Sequence, residues 1–261
     1  MNIRLPVLQP QPLTACILAG LALMCLAEAA MSSIAAPLMA VQPPELVLAT
    51  FLFLAIVTTS LYPIHIRHNI KVILTTVPIY VAAMVLAPFP AGLVVCFGIV
   101  LSETLSYRMT GNTISDIVTQ SSRWTLITIL GAALAANFRD LPVPAPLVYA
   151  GVALAMLLLD LVTGALEIAP MSRERPGHVL KVLVREATLP EAVQYLIGIL
   201  AVLAAAQQRW SIVLWVLPLA IVYQSFKYAK EMHDGTRQLL ESMADIVDVR
   251  DPYTGGHSRR V

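Results

Sequence analysis

Long apolar runs, interrupted by short clusters of proline, glycine and charge, fill the chain from about residue 13 to residue 226. A bilayer crossing takes about 20 mostly apolar residues, fewer where the membrane thins. On that measure eight spans are expected, at 13–34, 46–61, 72–87, 91–105, 114–136, 147–168, 192–206 and 212–226. Each is expected to be a helix, because a backbone in lipid must satisfy its own hydrogen bonds. The third, fourth and fifth spans are the weakest, the fifth being apolar only from Trp124 onward. A six-span body with re-entrant pieces is the alternative. Pro43, Pro44, Pro88, Pro90, Pro142, Pro144, Pro170 and Pro190 are expected between spans, where a missing N–H costs least; Pro78 and Pro218 fall inside spans and predict kinks.

Beyond residue 226 the pattern changes. Ala229, Met232, Thr236, Leu239, Met243 and Ile246 recur at alternating spacings of three and four, with Leu240 and Val247 widening the stripe. Arg237 and Glu241 form an i,i+4 pair, and no proline intervenes before Pro252. The expectation is a helix leaving the membrane at 227–250. It is suited to forming a parallel homodimer through Leu239, Met243 and Ile246. A lone amphipathic helix packed on cytoplasmic loops is the alternative.

Composition agrees with a membrane protein. Of 261 residues, 58% are apolar and only 13% charged, about half the share of a soluble domain. Mean hydropathy is +0.77. The net charge of +1 gives no general attraction to nucleic acid. Cys16, Cys25 and Cys96 all lie in apolar runs, which argues for packing residues over disulfides.

Positive residues collect in alternate connections. Arg67 and Lys71 follow the second span, and Arg108 and Arg123 flank the link after the fourth. Arg173, Arg175, Lys181 and Arg185 follow the sixth, and Lys227 and Lys230 the eighth; the opposite connections hold only Arg139 and Arg209. The positive-inside rule then places both termini in the cytoplasm. The N-terminal run followed by "AEAA" imitates a signal peptide, but Glu28 and Met31 make a poor cleavage boundary, so the uncleaved reading is preferred.

Ionisable groups inside spans are costly, and they usually face a cavity, a partner or the protein interior. Glu28, Asp160 and Glu167 are therefore the candidates for a membrane-embedded ligand or cation site; Asp160 and Glu167, seven apart, share one face of the sixth span. The competing reading is interfacial, with Glu167 snorkelling or pairing with Arg173, and Glu103 likewise near a span end. "TTS" at 58–60, "TQSSR" at 119–123, "GAALA" at 131–135 and "GVALA" at 151–155 fit helix–helix packing. "HIRHNIK" at 65–71 reads as a solvated basic loop with too few ligands for a metal.

The C-terminal stretch "DPYTGGHSRRV" resembles the opening of the HD-GYP domain, a subclass of metal-dependent phosphohydrolases that hydrolyse cyclic di-GMP. The matching residues are Asp251, Pro252, Tyr253, Thr254, Gly256, His257, Ser258, Arg260 and Val261. The resemblance covers about a dozen residues and implies that His257 is a metal ligand, with iron, manganese or zinc as the divalent ion of the complete domain. The His-Asp pair, the further ligands and the Gly-Tyr-Pro signature of that family would lie beyond this opening, and the 261 residues end at Val261. The chain as given is thus expected to be inactive, either a fragment of a longer protein or the product of a truncated gene.

The implied organisation is a multi-span sensor domain (1–226), a stalk helix (227–250) and the start of an HD-GYP domain (251–261). The protein would lie in the inner membrane of a bacterium and respond to an unknown small ligand. A small-molecule transporter, or its membrane substrate-binding subunit, is the alternative function. A membrane protein that only pairs with a partner is a third.

Overall fold

The computed structural model describes residues 12–34, 43–61, 64–67, 70–72, 74–110, 113–138 and 142–250. Among the described residues the chain is helical apart from one short hairpin. In order, the elements are α1 (Pro12–Ile34), α2 (Pro43–Leu61), β1 (Ile64–Arg67), β2 (Ile70–Val72), α3 (Thr76–Val85), α4 (Pro88–Thr110), α5 (Ile114–Phe138), α6 (Ala145–Ser172), α7 (Pro176–Glu186) and α8 (Thr188–Gln207). A 3-10 segment (Arg209–Trp215) and α9 (Val216–Arg250) complete it. Two compact units are formed, one from Met1–Pro63 and Ile73–Val216, the other from Ile64–Val72 and Leu217–Val261.

Four stretches among the described residues are long and apolar enough to cross a membrane: Pro88–Ser106, Ala145–Pro170, Thr188–Gln207 and Arg209–Ala229. Ile17–Met31, Glu45–Leu61 and Thr76–Val85 are shorter apolar helices. This is a membrane protein by length and composition of its helices, with four full-length spans among the described residues where eight were expected.

Proline explains most helix starts. Pro12, Pro43, Pro88 and Pro176 are first residues of their helices, and Pro78, Pro190 and Pro218 are third. At these positions the N–H has no intrahelical acceptor, so the ring costs little and its fixed φ favours the first turn. The kinks expected at Pro78 and Pro218 are therefore corrected: both prolines begin helices. Ahead of Pro78 the chain forms β2 and a turn, so the expected span at 72–87 shrinks to the ten residues of α3. The expected span at 212–226 is split into 3-10 and α-helix at Val216. Pro170, expected between spans, lies inside the last turn of α6.

In the first unit α3 is the innermost element. Residues Thr76 to Met84 are all buried, and α3 packs on α2, α4, α5 and α8. Ten residues rise only about 15 Å, half the hydrocarbon thickness, so α3 is surrounded by protein over a depth it does not span. Small residues bring the other helices close. A Cβ on Gly131 of "GAALA" would sit 2.6 Å from Met156 Sδ on α6, and one on Gly98 would sit 2.8 Å from Ile56 on α2. Gly151 of "GVALA" faces open space and plays no such part. Phe51 of α2 meets Trp215 edge-on at 6.0 Å.

The basic segment 65–71 is not a plain loop. Ile64 pairs with Val72, His65 with Lys71 and Arg67 with Ile70 in an antiparallel hairpin. A second element was not expected at all. α7 is amphipathic and lays Val179, with Leu180 and Leu183, against Ala165 and Ala169 at the end of α6. Arg173, left-handed at φ 57°, closes α6 by donating its N–H to the Ala169 carbonyl and turns the chain into α7.

In the second unit α9 is one 35-residue helix, roughly 52 Å long, with the expected Arg237–Glu241 pair closed at 2.9 Å. Leu239 and Met243 are 63% and 60% exposed, so the apolar stripe is uncovered in a single chain. The Ile246 side chain lies outside the described residues.

Candidate membrane-embedded polar site

Arg123 was expected beside a connection. It is instead the tenth residue of α5, with its side chain only 11% exposed. Its guanidinium faces α6. Nη1 is 3.1 Å from Asp160 Oδ1, and Nε is 3.5 Å from Glu167 Oε2. Nη1 also donates to the Asp160 carbonyl at 3.4 Å, and Nη2 to Gln120 Oε1 at 3.3 Å. Gln120 Nε2 donates in turn to Glu167 Oε1 at 2.9 Å. The guanidinium carbon stands 5.4 Å above the Trp124 ring, within reach of a cation–π attraction.

The two turns between Asp160 and Glu167 present both carboxylates to one cation, as their spacing of seven requires. The residue between them on that face is Gly164. A Cβ there would lie 2.9 Å from Arg123 Nη1, so the missing side chain is the space the guanidinium occupies. Glu167 pairs with Arg123, which corrects the expected partner, Arg173.

A second layer comes from α3 and α8. Thr76 Oγ1 donates to Glu191 Oε2 at 2.7 Å. Asp160 and Arg123 are both within electrostatic reach of Glu191 and of Tyr195. Gln194 is fully buried and Tyr195 is 4% exposed, yet both polar atoms of the Gln194 amide and the Tyr195 hydroxyl have no hydrogen-bond partner among the described residues. The Tyr195 ring stands edge-on to Tyr80 at 5.6 Å, and the Tyr80 hydroxyl donates to the Tyr149 carbonyl on α6 at 2.9 Å. α8 can approach α3 this closely because of Gly198: a Cβ there would meet Tyr80 Cδ1 at 2.6 Å.

The hydroxyls of "TQSSR" do not join this network directly. Thr119 and Ser121 are buried but donate to carbonyls one turn back, at 2.8 and 2.7 Å. They serve as compact packing residues with their polar atoms satisfied.

Comparison with family models, curated proteins and solved structures finds no match.

The site therefore rests on its own chemistry. Asp160 and Glu167 pair with one guanidinium, and Glu191, bonded to Thr76, lies within its electrostatic reach, so three carboxyl groups share one cation inside an apolar body. An arrangement of this kind can hold a cation or a hydrogen-bonding solute, or can act as a polar lock between α3, α5, α6 and α8. Among the described residues no cluster of His, Cys, Asp and Glu has metal-binding geometry. Of the sequence candidates, Asp160 and Glu167 are brought together. Glu28 is exposed on α1 and makes no ion pair or hydrogen bond among the described residues. His257 lies outside the described residues. Arg123, Gly164, Glu191, Gln194 and Tyr195 were not foreseen. The last three carry a readable signal, since spacings of three and four put Gln194 and Tyr195 one turn from Glu191.

Proposed function

We propose that this chain is the membrane-embedded receptor part of a cyclic di-GMP signalling protein, with its termini in the cytoplasm of a bacterium. The observation that carries the reading is α9. It runs unbroken from an apolar segment to Arg250, directly before the Asp251–Val261 stretch that resembles the opening of an HD-GYP domain. In that reading the first unit receives a small ligand and α9 passes the change on. His257 would be a ligand for the iron, manganese or zinc of the complete phosphodiesterase. Two chains would pair through Leu239, Met243 and Ile246.

The gene gives the most direct test. The reading frame beyond codon 261 should continue into a His-Asp pair, further histidines and a Gly-Tyr-Pro signature. A stop codon at that point would sink the output-domain reading. A small-molecule transporter, or its membrane binding subunit, is favoured by one separate observation, the buried Arg123–carboxylate site. Uptake of a labelled solute by vesicles carrying this chain alone would select it.

A further inference from the structure

The first unit carries a second feature, at the opposite end of α3 from Thr76 and Glu191. The start of α2, the ends of α3 and α8, Tyr149 of α6 and the 3-10 segment enclose a half-open cavity of about 730 Å³. Small-molecule sites are typically ~300–1,000 Å³, mostly apolar, with few polar groups that fix orientation. This cavity has that character. Leu48, Val85, Val202 and Ile212 supply apolar wall, and among the described residues the only charged ones lining it are Glu45 and Arg209. Glu45 and Arg209 are exposed, and among the described residues neither forms an ion pair. Trp210 also lines the cavity, with 67% of its surface exposed.

Glu45 has an ordinary reason to sit where it does, since a carboxylate in the first turn of α2 complements the helix dipole. Arg209, two residues past the end of α8, complements the dipole of that helix in the same way, and both charges are left lining the cavity. One unpaired charge of each sign on an otherwise apolar lining matches a guest with both signs on its head. A ligand with a single charge would satisfy one residue and leave the other unmatched.

We propose that this cavity binds a small apolar molecule with a zwitterionic head, its ammonium set against Glu45 and its anionic group against Arg209. Free apolar amino acids and zwitterionic lipids share that head chemistry. The inference concerns the first unit alone and is independent of any output domain.

Trp210 supplies the readout. The purified chain in phosphatidylglycerol nanodiscs, which contain no zwitterionic headgroup, is titrated with L-phenylalanine and with a short-chain phosphatidylethanolamine. A saturable change in tryptophan emission that disappears in Trp210→Phe is expected for at least one of them. Response to the amino acid alone identifies a free solute. Response to the lipid alone identifies a membrane source, and response to both identifies the shared head. Glu45→Gln and Arg209→Gln, both at exposed positions, should each weaken the response by about tenfold or more, as loss of a charge-assisted contact does. Hexylamine and hexanoate, with one charge each, should bind at least as weakly as the zwitterion binds to those variants. Silence with both zwitterions, or binding indifferent to both substitutions, overturns the proposal, as does equal binding of the singly charged probes.

Discussion

Arg123 holds two carboxylates and a carboxamide with one planar group. A buried ion pair adds little net stability, because desolvation offsets the attraction, but removing one partner strands the other. Arg123→Met should therefore destabilise the chain by roughly 3–5 kcal/mol. Adding Asp160→Asn and Glu167→Gln should recover much of that loss. Denaturation of the purified protein in detergent micelles measures both, and unchanged stability in the single variant would show that the carboxylates are not held by Arg123. Arg123→Lys should fall between, since an ammonium cannot set three separate nitrogens of one plane against Asp160, Glu167 and Gln120. The sequence made the two acids visible through their spacing and hid the arginine. Arg123 adjoins the polar turns of "TQSS", and a charge near the start of an apolar run reads as a connection.

At the scale of elements, glycines decide how closely helices approach. Gly198 lies against the ring of a rigid, fully buried Tyr80, Gly131 against a flexible Met156, and Gly151 against nothing. Their alanine variants should rank accordingly. Gly198→Ala should cost about 1–3 kcal/mol as an overpacked core position. Gly131→Ala should cost less, because a thioether side chain can move aside. Gly151→Ala should be neutral or stabilising by up to about 1 kcal/mol through helix propensity. Equal effects at all three would remove the packing argument. Helix existence was largely legible for the same reason that packing is tight: apolar runs and prolines mark α1, α2, α4, α5, α6 and α8 within a few residues. α7 was obscured by Lys181, Arg185 and Glu186, which dilute its hydropathy although Val179, Leu180 and Leu183 keep a helical face. α3 was overextended, since Val72 and Ile73 continue the apolar run across a change from strand to helix.

For the whole molecule, orientation and pairing are the testable quantities. With Cys16, Cys25 and Cys96 replaced, a cysteine at Gln208 should react with an impermeant thiol reagent from outside intact cells. One at Ser172 should react only after the membrane is opened. The reverse result would invert the topology and remove a cytoplasmic α9. Single cysteines from Arg237 to Asp248 should cross-link between chains with a period near 3.5, strongest at 239, 243 and 246. Burial of a large apolar side chain is worth about 1.5–3 kcal/mol, and pairing would cover Leu239 and Met243, which a single chain leaves exposed. Uniformly low cross-linking would leave α9 as a single helix. His257 escapes this kind of reasoning, since its place rests on a sequence motif and not on a described position.

The brevity and burial of α3 also bear on how the protein is made. A helix of about 15 Å cannot hold its own place across a bilayer about 30 Å thick, so it must wait for neighbours. Tyr80 emerges from the ribosome well before Gly198, the residue whose bare backbone receives its ring. At elongation rates of ~5–20 residues per second, that interval is roughly ten seconds. During it Thr76, whose hydroxyl is destined for Glu191, has no partner from α8. The nascent chain is thus most open to chaperones and membrane proteases before its eighth helix arrives. Substitutions at Gly198 should then lower the amount of protein that accumulates by more than their effect on the finished fold, because they obstruct the step that ends this exposure.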